Sequence, residues 1–161
     1  MTRSLTPRET VEGSGYPTVR QLSVFLENRV GQLLKLTKVF EEAAIRIVAV
    51  SVVNSVDCAI IRLLVDDPDR ATQLLKEQGF VLSSAALLAV VLPPGKRALL
   101  SLYAALTSAE VGIQYMYPLL IHPDGRSAVA INVDDPEMAI RTLNRHSFDV
   151  LTQDDLGRSA D

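Results

Sequence analysis

Val65-Asp66-Asp67-Pro68 recurs as Val133-Asp134-Asp135-Pro136, and the same offset of 68 residues relates Ala71 to Ala139, Leu75 to Leu143 and Phe80 to Phe148. A spacing that persists through an apolar run, a helix start and the next aromatic carries structure, so the chain reads as a tandem repeat of two related small domains. In a chain of 161 residues each copy has roughly 70 residues, a size at which a single core buries proportionally little surface. The two copies are therefore expected to share an interface.

Within the first copy, Val19 to Leu26 alternates as a strand, with Leu22, Val24 and Leu26 on one face. Asn28 and Gly31 break it. From Gln32 to Ala44, Leu33, Leu36, Phe40 and Ala44 fall at helical spacing, with Lys35, Lys38, Glu41 and Glu42 opposite. Ile45 to Val53 and Ala59 to Val65 are β-branched runs flanking a turn at Asn54 to Asp57. Asp67 then caps a helix whose first position is Pro68, Gly79 ends it, and Phe80 opens a fourth strand.

The second copy repeats this order: a strand at Leu87 to Leu92, a helix at Ala98 to Glu110, a hairpin from Ile113 to Val133 turning at His122 to Gly125, a helix at Pro136 to Arg145 and a strand at Phe148 to Thr152. Strand, helix, strand, strand, helix, strand is the ferredoxin-like arrangement. The fold class is thus α+β, two βαββαβ domains side by side. Domain boundaries are expected at 18–86 and 87–156, with polar tails at 1–17 and 157–161.

A net charge of −3 gives no basic face for nucleic acid or an anionic membrane, so neither is expected as a partner. Cys58 is the only cysteine, which excludes an intramolecular disulfide and a thiolate cluster within one chain. No signal peptide is visible, and the uncharged run from Phe80 to Gly95 is interrupted by Ser83, Ser84 and Pro93-Pro94 before it could span a bilayer. A cytoplasmic location is expected.

The segment Phe25-Leu26-Glu27-Asn28-Arg29-Val30-Gly31, between a strand and an amphipathic helix, resembles the opening of an ACT domain, whose first turn commonly reads Asn-x-Pro-Gly followed by Leu. The resemblance covers about residues 19 to 155, and the Tyr115-Met116-Tyr117 strand is similar to that of stand-alone tandem ACT proteins. It implies a small amino acid bound at the interdomain interface, a regulatory or sensor role without catalysis or cofactor, a metabolic enzyme as partner, and self-association. It further implies one antiparallel sheet with helices on one face, formed by pairing the edge Ile45–Val53 with the edge Ile113–Ile121. Val30 departs from the family's proline, and Pro93-Pro94-Gly95-Lys96-Arg97 has no Asn-x-x-Gly.

The turn's chemistry suits the implied ligand. The first N–H groups of a helix lack partners and favour an anion, a glycine lets a ligand approach the main chain, and the Asn28 amide offers donor and acceptor to a zwitterion. The resemblance assigns the site to Leu26, Asn28, Arg29, Val30, Gly31, Gln32 and Leu33. Arg46 stands where many ACT domains place a ligand-contacting polar residue, and Gln114 is its counterpart at the 68-residue offset.

Other candidates read as structure. The Asp-Asp-Pro pairs are explained by capping, with no third metal ligand recurring beside them; His122 and His146 lack a partner, and Cys58 reads as a small strand residue. Tyr115 and Tyr117 share one strand face and are expected to pack between the domains. The helix Ala98 to Glu110 is apolar nearly all round and needs cover from the first domain or another subunit. The rival to a ligand-binding role is a ligand-free adaptor module. A phosphate-loop hydrolase lacks its glycine-rich loop and arginine, and an RNA-binding sheet lacks its stacking aromatics in the first domain.

Overall fold

The computed structural model describes residues 16–158. Of the expected tails at 1–17 and 157–161, residues 1–15 and 159–161 lie outside the described residues. The elements are β1 (Val19–Glu27), α1 (Gln32–Glu42), β2 (Ile47–Asn54), β3 (Cys58–Val65), α2 (Pro68–Glu77), β4 (Val81–Val91), α3 (Ala98–Ser108), β5 (Ile113–Pro118), β6 (Ala128–Val133), α4 (Pro136–Arg145), β7 (Asp149–Leu151) and α5 (Gln153–Arg158). Among the described residues no helix is long and apolar enough to cross a membrane.

The repeat is visible with one change. The strand expected from Phe80 and the one expected from Leu87 are a single 11-residue strand, β4, with Ser83 to Ala86 in its interior. Its first part pairs with β1 (Phe25 with Val81, Val19 with Leu87), and its last part pairs with β6 on one side (Leu88 with Ile131) and β7 on the other (Ala89 with Leu151). One strand closes the first domain and opens the second, giving the order β2-β3-β1-β4-β6-β5 with β7 also on β4.

The two faces of β4 set the cores. Leu82 faces the helices of the first domain, packing with Leu22, Val24, Leu36, Phe40 and Leu75. Leu88 and Val90 face those of the second, with Leu102, Leu106, Ile131 and Leu143. The alternate residues Leu87, Ala89 and Val91 enter a third core with Val48, Leu64, Tyr117, Leu119, Ala130 and Leu156, to which α1 to α4 contribute nothing. All four helices therefore lie on one face of the sheet, and the other face is folded onto itself. β5 returns to β2, where Ala49 and Leu119 form a single antiparallel bridge and the Leu120 N–H donates to the Val48 carbonyl at 2.7 Å. The expected edge pairing of Ile45–Val53 with Ile113–Ile121 is reduced to this bridge, because sharing β4 already fixes the two sheets side by side and curling brings their far edges together at one end only.

Each aspartate of the repeated pair has its own task. Asp67 and Asp135 accept from the N–H of Arg70 and Met138, both at 3.0 Å, and so cap α2 and α4. Asp66 and Asp134 reach sideways to the N–H of Arg46 (3.0 Å) and Gly112 (2.9 Å), pinning the start of β2 and β5 beside a bulge in each. Arg46 thus corresponds to Gly112, an offset of 66 rather than 68, since the hairpin segment from Gly112 to Asp134 is two residues longer than that from Arg46 to Asp66. Gln114 is not the counterpart of Arg46.

Helix α5 lies outside the repeat. Thr152 and Asp155 form a reciprocal capping pair, the Thr152 N–H donating to Asp155 Oδ2 (2.8 Å) and the Asp155 N–H to Thr152 Oγ1 (3.2 Å). Leu156 is buried in the inter-sheet core, and Gln153 bonds across to the first domain through the Arg20 N–H and the Val65 carbonyl.

Cutting the chain at Leu87 removes Val19, Val48, Ala49 and Leu64 from the inter-sheet core and leaves the apolar residues they cover to water. The fragment from Leu87 onward is expected to aggregate or to melt without cooperativity, checked by gel filtration and thermal denaturation. A soluble, monomeric, cooperatively folding fragment would show that the second half does not depend on the first.

Candidate functional site

At the end of β1, Glu27 is the last residue paired with β3, opposite Cys58. The chain then turns. Asn28 Nδ2 donates to the Ser55 carbonyl at 3.4 Å, which ties the turn to the β2–β3 hairpin, and the Arg29 N–H donates to Glu27 O at 2.8 Å. Gly31 is the N-cap of α1 at φ +90, a left-handed conformation that glycine adopts without strain. Nothing lies within 4 Å of the position its Cβ would take.

Unlike α2 and α4, helix α1 has no side-chain cap and no acid in its first turn. The Gln32 N–H donates to the Arg29 carbonyl at 3.4 Å, and the other leading N–H groups have no side-chain acceptor, with the positive end of the helix dipole behind them. In the second copy a positive-φ glycine is also present, but Gly95 (φ +101) stands two residues before the N-cap, which is Arg97 rather than a glycine.

The proposed residues do not all converge. Asn28, Arg29, Val30, Gly31 and Leu33 are exposed around the turn and Gln32 is half-buried beside them, whereas Leu26 is buried against the helices in the first domain's core. Arg29 Nε contacts the Glu27 carboxylate at 2.6 Å, both side chains largely exposed. Arg46 precedes β2 at the opposite end of the sheet, one eight-residue strand or roughly 25 Å away. Gln114 is exposed on β5 in the second domain. The turn is also remote from the interdomain seam, since β1 meets the second domain near Val19 and Gln21 and runs away from it toward Glu27. The expectation of a ligand at the interdomain interface, completed by Arg46 and Gln114, is corrected accordingly.

The seam holds a polar cluster instead. Gln21, only 1% exposed, accepts from the Tyr117 hydroxyl (2.6 Å) and donates to Tyr115 (3.0 Å) and Ser23 (3.2 Å). Asn132 Nδ2 adds a bond to the Tyr115 hydroxyl at 3.3 Å, and the Arg62 guanidinium lies 3.8 Å from the centroid of the Tyr115 ring. Burial pushes the Tyr117 phenol well above its ordinary value, with the neighbouring Tyr115 acting in the same direction and Arg62 against it. Tyr117 is thus a fixed neutral donor. Sequence reasoning found the two tyrosines but missed Gln21 and Arg62: Gln21 lies on the face of β1 opposite Leu22, Val24 and Leu26, which read as solvent-facing, and Arg62 interrupts an apolar strand.

Helix α3 presents Leu99, Leu100 and Tyr103 to solvent and carries no charged residue; the first domain does not cover it. Beside it, Tyr103, Leu106 and Thr107 of α3 with Val111, Gly112, Ile113 and Met116 frame a shallow depression of about 450 Å³. Among the described residues no group of three His, Cys, Asp or Glu side chains could hold a metal.

The sequence profile of a family described as an ACT domain pair matches residues 17–160. Among solved structures, protein BT0572 from Bacteroides thetaiotaomicron is similar over 88% of this chain and 96% of its own, at 29% identity and a TM-score of 0.80. The ligand-free regulatory subunit of aspartate kinase from Thermus thermophilus matches over 81% and 93%, at 16% identity and a TM-score of 0.58. The corresponding subunit from Thermus flavus matches over the same shares at 12% identity and a TM-score of 0.55. These two likenesses are of fold. A search of curated proteins returns no match.

Tyr117→Phe removes the hydroxyl from Gln21 Oε1 and is expected to destabilise the fold by about 1–3 kcal/mol, the usual range for a buried acceptor left without its donor. Because the folded phenol titrates above the ordinary 10.0, its contribution is fully present below that pH and is lost as pH rises beyond it. Urea melts in a pH series check both: the wild type should lose stability more steeply than Tyr117→Phe above pH 10.

Proposed function

Because the chain belongs to the ACT domain pair family, matched from residue 17 to 160, we propose that it is a non-catalytic regulatory or sensor protein that binds a small α-amino acid at the turn from Asn28 to Leu33. The observation that carries this reading is the start of α1, which no side chain caps and which Gly31 heads; α2 and α4 are capped by aspartate, and α3, also without a side-chain cap, is headed by Arg97. A carboxylate supplies an acceptor for the N–H groups of Gly31 and Leu33, and the ammonium lies near Asn28 and the Glu27 carboxylate. The second copy, with Arg97 in place of the glycine cap, takes no ligand.

A second reading, an adaptor that needs no ligand and associates with a separately encoded metabolic enzyme, is favoured by the charge-free exposed face of α3. A thermal-shift screen against the amino acids separates the two. A ligand at about 100 times its Kd stabilises by roughly 2.7 kcal/mol, a shift of several degrees. No shift with any amino acid favours the adaptor.

Gly31→Val places a branched side chain at φ +90, where L-residues are strained by about 1–2 kcal/mol. Circular dichroism is expected to show it folded and calorimetry to show binding abolished; undiminished affinity would remove the turn from the site. Titration of the wild type is expected to give one ligand per chain, and two equivalent sites would overturn the asymmetry.

A further inference from the structure

The inner face of the first domain's sheet extends beyond the part covered by the second domain. Three cross-strand rows occupy the extension, set by the strand register. Nearest the seam run Ser51, Arg62, Ser23 and Ser83; next run Val53, Ile60, Phe25 and Val81; beyond them lie Cys58 and Glu27. Paired residues share a face, so each row is a band of side chains across the sheet. The middle row is apolar throughout, belongs to no core, and is open to solvent: Phe25 is 41% and Val81 67% exposed.

We propose that this face is the interface between two copies of the chain, packed sheet to sheet about a two-fold axis parallel to the Val53–Val81 row. Three observations select a second copy. The row continues the inter-sheet core, in which the same face of the same strands already packs against a sheet of related build. The exposed apolar row crosses four adjacent strands, and a band of that kind is what one sheet presents to another in face-to-face packing.

The third observation is charge. Arg62 lies one row to the seam side of the apolar band and Glu27 one row to the other side, each about 7 Å away along the strand. The two-fold axis exchanges those rows, so Arg62 of each copy faces Glu27 of the other. An axis along the strands would instead oppose Arg62 to itself. Among the described residues Arg62 has the Tyr115 ring contact and no carboxylate, and Glu27 has only its exposed pairing with Arg29, which costs little to exchange. Two rows across four strands and a third across two cover roughly 320 Å² per copy, which places the dimer at the weak, concentration-dependent end of specific interfaces.

The proposal does not depend on amino-acid binding and is tested without ligand, by sedimentation velocity on the full chain from about 5 to about 500 µM. The wild type is expected to dimerise in that range, and Val81→Glu, at an exposed position, to weaken the dimer by about tenfold or more with an unchanged melting curve. Glu27→Arg and Arg62→Glu should each weaken self-association, while an equimolar mixture of the two restores both cross-interface pairs and dimerises at least as tightly as the wild type. A monomeric wild type overturns the proposal, as does a dimer indifferent to Val81→Glu or a mixture no tighter than its components. Should Arg62→Glu fail to fold without the Tyr115 contact, Val81→Glu and Glu27→Arg decide: both must weaken the dimer, and indifference to either overturns the proposal.

Discussion

The shared strand β4 is the constraint on which the rest of the architecture depends. A βαββαβ unit normally keeps its first and last strands to itself, but here the residues that finish one unit run on, without a turn, as the first strand of the next. Side chains alternate across a strand, so the parity that sends Leu82 toward one pair of helices sends Leu88 and Val90 toward the other pair. Once the helices are committed to one side, the opposite face of both sheets has only itself to pack against. The third core, the Ala49–Leu119 bridge and the buried Gln21 cluster follow from that commitment.

The doubled aspartate shows how a small sequence signature can specify a junction. One carboxylate holds the incoming strand and the next caps the outgoing helix, so two adjacent side chains tie together the start of β2, the end of β3 and the start of α2. The second copy repeats the device with Gly112 in the place of Arg46. There a Cβ would meet Asp134 Oδ2 at 2.8 Å, so the glycine gives the carboxylate room to sit close. The first copy accommodates a side chain at that position, and the two junctions have diverged in detail while keeping the bond.

Much of this was legible in the sequence because it rests on short-range chemistry. Proline after aspartate, alternation in β1 and helical spacing in α1 are local signals, and the repeat made each of them count twice. The departures share a different cause. Ser83 to Ala86 contains small polar and small apolar residues that suit a turn, and only the neighbouring strands keep them extended. The Gln114 assignment failed because two extra residues in a hairpin shift the offset in one part of the repeat and leave it intact elsewhere. Arg46 was carried over by family position, and the path of α1, which returns the chain to the far end of the sheet, separates it from the turn. Helix α5 did carry a signal, Thr152 followed three residues later by Asp155, but it lay past the last repeated element.

The near-closure of the sheet at Ala49 and Leu119 bears on the order in which the molecule assembles. Hairpins such as β2–β3 and β5–β6 join residues close in the chain and form early, whereas this bridge encloses a loop of about 70 residues and gains little enthalpy in return. It belongs to the last stage of folding and the first stage of local opening. The Leu120 amide, bonded to Val48 across that gap, therefore exchanges its proton ahead of the amides inside β3 and β6, and reports on the breathing of the sheet independently of global unfolding.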